Sequence, residues 1–182
     1  MNIFIGKHEI HLLNESQYSL NSSDNVRRYE IENFRTDEYH YSCAHGIVVG
    51  DLDHPLYEAI FLGVGGATDV HENSVASYDE TAFLAVGDSV FSISLPTLKV
   101  NWFKKVDFAT CFGVYWLEKY QCLITWGEVD VCRFAADGTK IWSFAGADIF
   151  TENFELTEDN IQLRDFENRE YVISIERGCS VK

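Results

Sequence analysis

Basic residues are scarce in this chain. Its 182 residues include 14 Lys and Arg against 29 Asp and Glu, a net charge of −15. A surface that grips phosphate needs a basic footprint, so this balance argues against direct binding to nucleic acid and to anionic membranes. Proline is scarce too, with only 2, which excludes a proline-rich linker. No apolar run approaches the roughly 18 residues that a spanning helix requires. The opening M-N-I-F-I-G-K-H-E-I lacks a basic segment followed by a long apolar one, the pattern of a secretory leader. Cys43, Cys111, Cys122, Cys132 and Cys179 are odd in number and have no C-x-x-C spacing. Three of them, Cys111, Cys122 and Cys132, fall in apolar strand-like runs, where free Cys behaves as a small hydrophobe. These features together predict a reducing, cytoplasmic setting. The chain also lacks G-x-x-x-x-G-K-[ST], G-x-S-x-G and H-E-x-x-H, so no phosphate cradle, nucleophile elbow or zincin site is visible. The glycines of L-G-V-G-G-A (Gly63, Gly65, Gly66) form an incomplete dinucleotide pattern with no helix after it, and they read as a strand-end turn.

What the chain does have is aromatic and apolar residues in short alternating runs. There are 13 Phe, 9 Tyr and 4 Trp, and 46% of residues are hydrophobic, enough for a packed core of pleated strands. The second half repeats. Leu84 to Trp102 reads L-A-V-G-D-S-V-F-S-I-S-L-P-T-L-K-V-N-W, and Leu123 to Trp142 reads L-I-T-W-G-E-V-D-V-C-R-F-A-A-D-G-T-K-I-W. Gly87 and Trp102 are 15 residues apart, as are Gly127 and Trp142, and the two copies are offset by 40. A degenerate third copy runs from Phe154 to Ile175. Such a period, with several short strands in each unit, is the pattern of a β-propeller blade.

Each unit divides into strands a to d. The first reads 74–77, 81–86, 89–95 and 98–103; the second reads 110–117, 121–126, 129–135 and 139–144. The third offers b, c and d over 153–157, 160–166 and 170–175. Asp137-Gly138 makes a tight c–d hairpin, and Leu95-Pro96-Thr97 takes its place in the first unit. Upstream, 1–13 reads as paired strands, 14–25 as a polar loop, 26–34 as a weak strand, Arg35 to Glu38 as a charged turn, and 57–64 as an apolar strand. The expected fold is therefore all-β: a partial propeller-like array of two to three antiparallel blades in one domain. Residues 1–66 are the N-terminal β-rich cap and 67–182 the blades. A partial array cannot close on itself, and the N-terminal segment is the expected cover.

The unit "apolar strand, Gly-acid turn, alternating strand, Asp-Gly turn, K-I-W-S-F" resembles the blades of quinoprotein-dehydrogenase-like propellers over roughly residues 73–176. That resemblance implies architecture only, since no quinone or metal ligands map onto it. In size, acidity and lack of catalytic motifs the chain also resembles immunity proteins of toxin–immunity systems, including contact-dependent growth inhibition. This second resemblance implies a non-enzymatic protein with no cofactor, which binds a cognate basic toxin, such as a nuclease.

The repeat itself proposes a site. In a blade, b–c turns and d–a connections share one face. That places Asp88, Glu128 and Asp159 on b–c turns, with Asp69, Glu72, Asp107, Asp148 and Glu152 on the connections beside them. The expectation is an acidic rim, with His71 and Trp126 as nearby anchors, since interface hot spots favour Trp. Turns favour Asp for local reasons as well. The alternative is a small metal-dependent hydrolase built on the His40 to His71 segment. There His40, Cys43 and His45 would need Asp51, Asp53 or His54 to complete a ligand set, because strand alternation puts only Cys43 and His45 on one face. Cys43 with His45 or His71 is also a nucleophile–base pairing. A sugar-stacking module using Trp102, Trp116 and Trp126 is the third reading, weakened by the equivalence of Trp102 and Trp142 as strand-d positions. Oligomeric state is not legible.

Overall fold

The computed structural model describes residues 1–34, 40–66 and 68–181, and of Glu152 the backbone alone. The charged turn expected at Arg35 to Glu38 lies outside the described residues. Four sheets form among them. The first contains β1 (Asn2–Ile5), β2 (His8–Asn14), β3 (Ile31–Phe34), β4 (Cys43–Gly50) and β5 (Pro55–Gly63) in the order β1-β2-β4-β5-β3. All its pairs are antiparallel except β3 with β5. The second is the antiparallel meander β6 (Val75–Tyr78), β7 (Thr81–Val86), β8 (Ser89–Ser94) and β9 (Lys99–Lys105). The third repeats it with β10 (Cys111–Leu117), β11 (Cys122–Gly127), β12 (Asp130–Ala135) and β13 (Lys140–Ala145). The fourth has β14 (Phe150–Leu156), β15 (Asn160–Asp165) and β16 (Glu170–Ser174). The described residues hold no helix long and apolar enough to cross a membrane.

Alternation along the inner strands builds the stack. On β7, Ala82, Leu84 and Val86 face the first sheet, whereas Phe83 and Ala85 face the third. On β11, Leu123 faces the second sheet, and Cys122 and Ile124 face the fourth. A strand apolar on both faces has to be covered on both, and that orders the layers. Fully buried Phe83, Phe91 and Phe134 each contribute about 1.5–3 kcal/mol by leaving water.

The two ends of the stack are closed differently. Behind the first sheet, residues 15–30 fold over Ala44, Val48, Ile60 and Leu62 through Tyr18 and Tyr29. The Tyr29 ring occupies the space that a side chain at Gly46 would fill, and its hydroxyl donates to Glu15 at 2.5 Å. On the fourth sheet, β15 buries Ile161 and Leu163 and presents Gln162 and Arg164 to solvent. One end therefore carries the β-rich cap, and the other presents polar side chains.

One strand assignment is corrected. The third unit supplies strands a, b and c, not b, c and d. Phe150 N–H donates to Glu128 O as Cys111 N–H, at the start of β10, donates to Gly87 O. Trp102 on β9 donates from Nε1 to Ala136 O, just past β12, at 2.8 Å. Trp142 on β13 donates likewise to Ile175 O, just past β16, at 3.0 Å. Both matches make β14 an a strand and β16 a c strand. The misreading arose because the turn after β14 carries the acids (Glu158, Asp159) that mark b–c turns in the other units.

Candidate partner-binding surface

A line of backbone hydrogen bonds defines one end of the stack, here called the upper end. Asp88 N–H donates to Val64 O, Val106 N–H to Asp88 O, Glu128 N–H to Thr110 O, Phe150 N–H to Glu128 O and Phe166 N–H to Ile149 O. The connections of all four sheets thus lie side by side. Asp107 pins two of them. Its Oδ1 accepts from Ala109 and Thr110 N–H at 2.7 and 3.0 Å, and its Oδ2 from Val129 and Asp130 N–H at 2.9 and 2.8 Å.

The acids expected to form a rim are scattered by this framework. Asp88 is at the upper end but only 1% exposed. Neighbouring connections close over it, Ser89 donates to its Oδ1 at 2.5 Å, and Lys105 pairs with its Oδ2 at 2.8 Å. Asp107 is buried as well. Asp159 is at the opposite end, because the β14–β15 turn is an a–b turn. There it meets Lys119 at 2.7 Å and the Tyr120 hydroxyl at 2.6 Å, and the Lys119 hydrogen bond lowers its pKa most. Glu128 stays at the upper end, half-buried, and Asp148 accepts the N–H of its own neighbour Ile149. The side chain of Glu152 lies outside the described residues.

His71 and Glu72 lie at the turn that leads into β6, Asp69 lies beside the end of β2, and Trp126 is on β11. Asp69 is exposed and accepts from Asn14 Nδ2. His71 caps the short 3-10 turn 72–74, its Nδ1 accepting from Asn73 N–H at 3.2 Å. Burial lowers its pKa, with repulsion from His45 adding to that. Trp126 is half-buried, stacked on Phe154 at 5.0 Å and tilted against Phe112 at 5.2 Å. Its indole belongs to the apolar layer between the third and fourth sheets, and its buried Nε1 has no hydrogen-bond partner among the described residues. The ring is thus a packing element.

Two residues missed by sequence reasoning are the most exposed aromatic rings of the upper end. Phe108 is 80% exposed and Phe166 is 64% exposed. Each follows a buried aspartate. Asp107 is described above, and Asp165 accepts from Arg169 N–H at 2.9 Å, Arg169 Nη1 at 3.1 Å and the Tyr171 hydroxyl at 2.8 Å. The aspartate folds inward to satisfy turn amides, and the next side chain points out. The recurring Asp-Phe dipeptide was the signal available. Lys105 Nζ already lies 5.7 Å from the Phe108 ring centre, so that ring can take a cation.

The proposed metal set does not assemble. Among the described residues, no three His, Cys, Asp or Glu side chains are placed to share an ion. Cys43 and His45 face inward near one end of β4, and His40 is exposed before it. Asp51, Asp53 and His54 lie past the other end of β4, roughly 20 Å along the strand. Asp51 is occupied there in closing the turn, accepting from Asp53 and His54 N–H at 2.8 and 2.9 Å. Trp102 and Trp116 are packing residues too: Trp116 stacks on Phe83 at 5.6 Å and on Tyr78 at 4.5 Å.

Comparison of this geometry with solved structures gives β-propellers. The WD40 β-propeller domain of Doa1 superposes with a TM-score of 0.51 at 11% identity, covering 75% of this chain and 47% of that one. The structure of U3-55K gives 0.50 at 12% identity, covering 62% of this chain and 39% of that one. The chain is therefore propeller-like in fold, and it spans less than half the length of these two structures. No protein-family model matches it, and no curated protein does.

Proposed function

We propose that this chain is a non-enzymatic protein-binding module that docks a basic protein on the upper end of its blade stack. The observation that carries this reading is the pair Phe108 and Phe166, 80% and 64% exposed on turns linked in series by backbone hydrogen bonds through Glu128 and Ile149. Covering such rings returns about 1.5–3 kcal/mol each, the scale of an interface hot spot. Lys105 and Arg169 beside them are tied to Asp88 and Asp165. The net charge of −15 then steers a basic partner in. The sharper form of the proposal is an immunity protein that covers the active surface of a cognate cytoplasmic toxin. A nuclease suits that role because its phosphate-binding Lys and Arg complement this charge.

The test is capture of the partner from the native host, then titration of the purified pair. A basic partner binding one to one, with affinity reduced at least tenfold by Phe108→Ala plus Phe166→Ala and further by Glu128→Lys, supports the surface. Unchanged affinity in a variant that melts like the parent removes it. If the captured partner arrests growth when expressed alone, and co-expression of this chain relieves the arrest, the immunity form holds. A partner without toxicity leaves the binding module and removes the immunity reading.

A further inference from the structure

Cys43 and His45 are two residues apart on β4 and share the face turned toward the second sheet. Cys43 Sγ lies 3.2 Å from His45 Nε2. The thiol residue is 4% exposed, and the imidazole is fully buried. Each ring nitrogen also faces a peptide carbonyl: Nδ1 is 3.1 Å from Ala85 O on β7, and Nε2 is 3.0 Å from Thr68 O on the connection after β5. A carbonyl accepts hydrogen bonds and cannot donate. A neutral imidazole has a single N–H, so either tautomer sets a bare nitrogen lone pair against a carbonyl oxygen. The doubly protonated ring satisfies both. A buried cation requires a counter-charge in contact, and the Cys43 sulfur touches Nε2. Thr68 also meets the sulfur, its carbonyl oxygen at 3.2 Å and its hydroxyl at 3.6 Å, where either the hydroxyl or the sulfur can donate.

We propose that Cys43 and His45 form a thiolate–imidazolium pair, and that Cys43 is a modification site for small peroxides. Burial opposes charge on both groups. Their mutual hydrogen bond and attraction outweigh it, bringing Cys43 down to about 7 and moving His45 upward. His71 also lies in the field of His45, and burial lowers its pKa. Cys122 has Arg133 beside it, yet burial outweighs that cation and raises its pKa. Burial pushes Cys132 up to about 11 and moves Cys111 further.

In the reaction, the thiolate attacks one peroxide oxygen. The S–O bond forms as the O–O bond breaks, and sulfur gives two electrons to the peroxide. The departing hydroxide or alkoxide takes the Nε2 proton of His45 and leaves as water or alcohol. The product is a sulfenic acid beside a neutral imidazole. Cys111 and Cys132 lie in the next apolar layer and Cys122 in the one beyond, so none is a neighbour that resolves it.

The experiment treats the native protein with limiting hydrogen peroxide across pH, traps sulfenic acid, and follows each cysteine by mass spectrometry. Cys43 is expected to outpace Cys111 and Cys132 and to reach a plateau above about pH 7. His45→Asn should slow Cys43 about tenfold at neutral pH. Thiolate ultraviolet absorbance, compared with Cys43→Ser, reads the charge without requiring access or a folded His45 variant. No absorbance difference at neutral pH overturns the ion pair. Cys43 oxidation no faster than that of Cys111 overturns the modification site.

Discussion

The Trp102 ring packs on Gly138: a β-carbon there would stand 2.8 Å from Cδ2, and the glycine itself has φ of +81°. Trp142 meets Gly178 in the same way one repeat later. Each indole leaves the last strand of its own sheet and closes on the next sheet, its Nε1 bonded to a carbonyl there. The 40-residue period in sequence is therefore a contact between layers, not merely a repeated hairpin.

Gly138→Ala combines a left-handed backbone with a collision, and it is expected to cost about 1–3 kcal/mol. Gly6→Ala is the control, because its φ is +58° but nothing lies within 4 Å of the added carbon. Urea midpoints should show Gly138→Ala destabilising more than Gly6→Ala. Equal losses would show that strain alone matters and that the indole yields.

Asp107 and Gly127 are coupled across the second and third sheets. A side chain at Gly127 would run into the Asp107 carboxylate. Asp107→Ala strands four backbone donors in two neighbouring turns and should cost about 3 kcal/mol or more. Gly127→Ala should be destabilising in the parent and less so once Asp107 is alanine. The double-mutant cycle reads this directly, and additive losses would mean the two residues act independently.

Acid should loosen the fourth sheet through Asp165. Burial raises its pKa, but the Arg169 N–H, the Tyr171 hydroxyl and the Arg169 guanidinium together carry it below the usual 3.8. A carboxyl depressed in the folded state stabilises fully above its unfolded value, and that stabilisation fades as pH falls through the folded one. Parent protein should therefore lose stability below about pH 4 more steeply than Asp165→Asn, which lacks this proton linkage. Parallel acid limbs in melting temperature would count against it.

Much of the fold was legible because strand alternation and turn chemistry are local. Gly87, Gly127 and the Asp137-Gly138 hairpin marked the blade turns, and the strands of the second and third sheets fall within a residue or two of their expected bounds. The third unit misled because an acid pair after β14 imitates a b–c turn. The candidate surface was less legible. An aspartate in a turn reads as a surface charge, yet Asp88 is folded inward on Ser89 and Lys105, Asp107 and Asp165 are folded inward on backbone amides, and the phenylalanines after the last two, normally core residues, stand in solvent.

The sequence by itself determined that this protein is acidic and all-β, that its second half is built from propeller-like units 40 residues long, and that Cys43 and His45 share a strand face. These follow from composition and from periodicities of two residues and of one blade. Tertiary structure alone decided which acids reach solvent, which end of the stack each turn occupies, and what stands against His45. Those depend on residues far apart in the chain, such as Ala85 and Thr68 about one imidazole or Asp107 spanning two sheets, and pairing at that distance is set by how the layers stack.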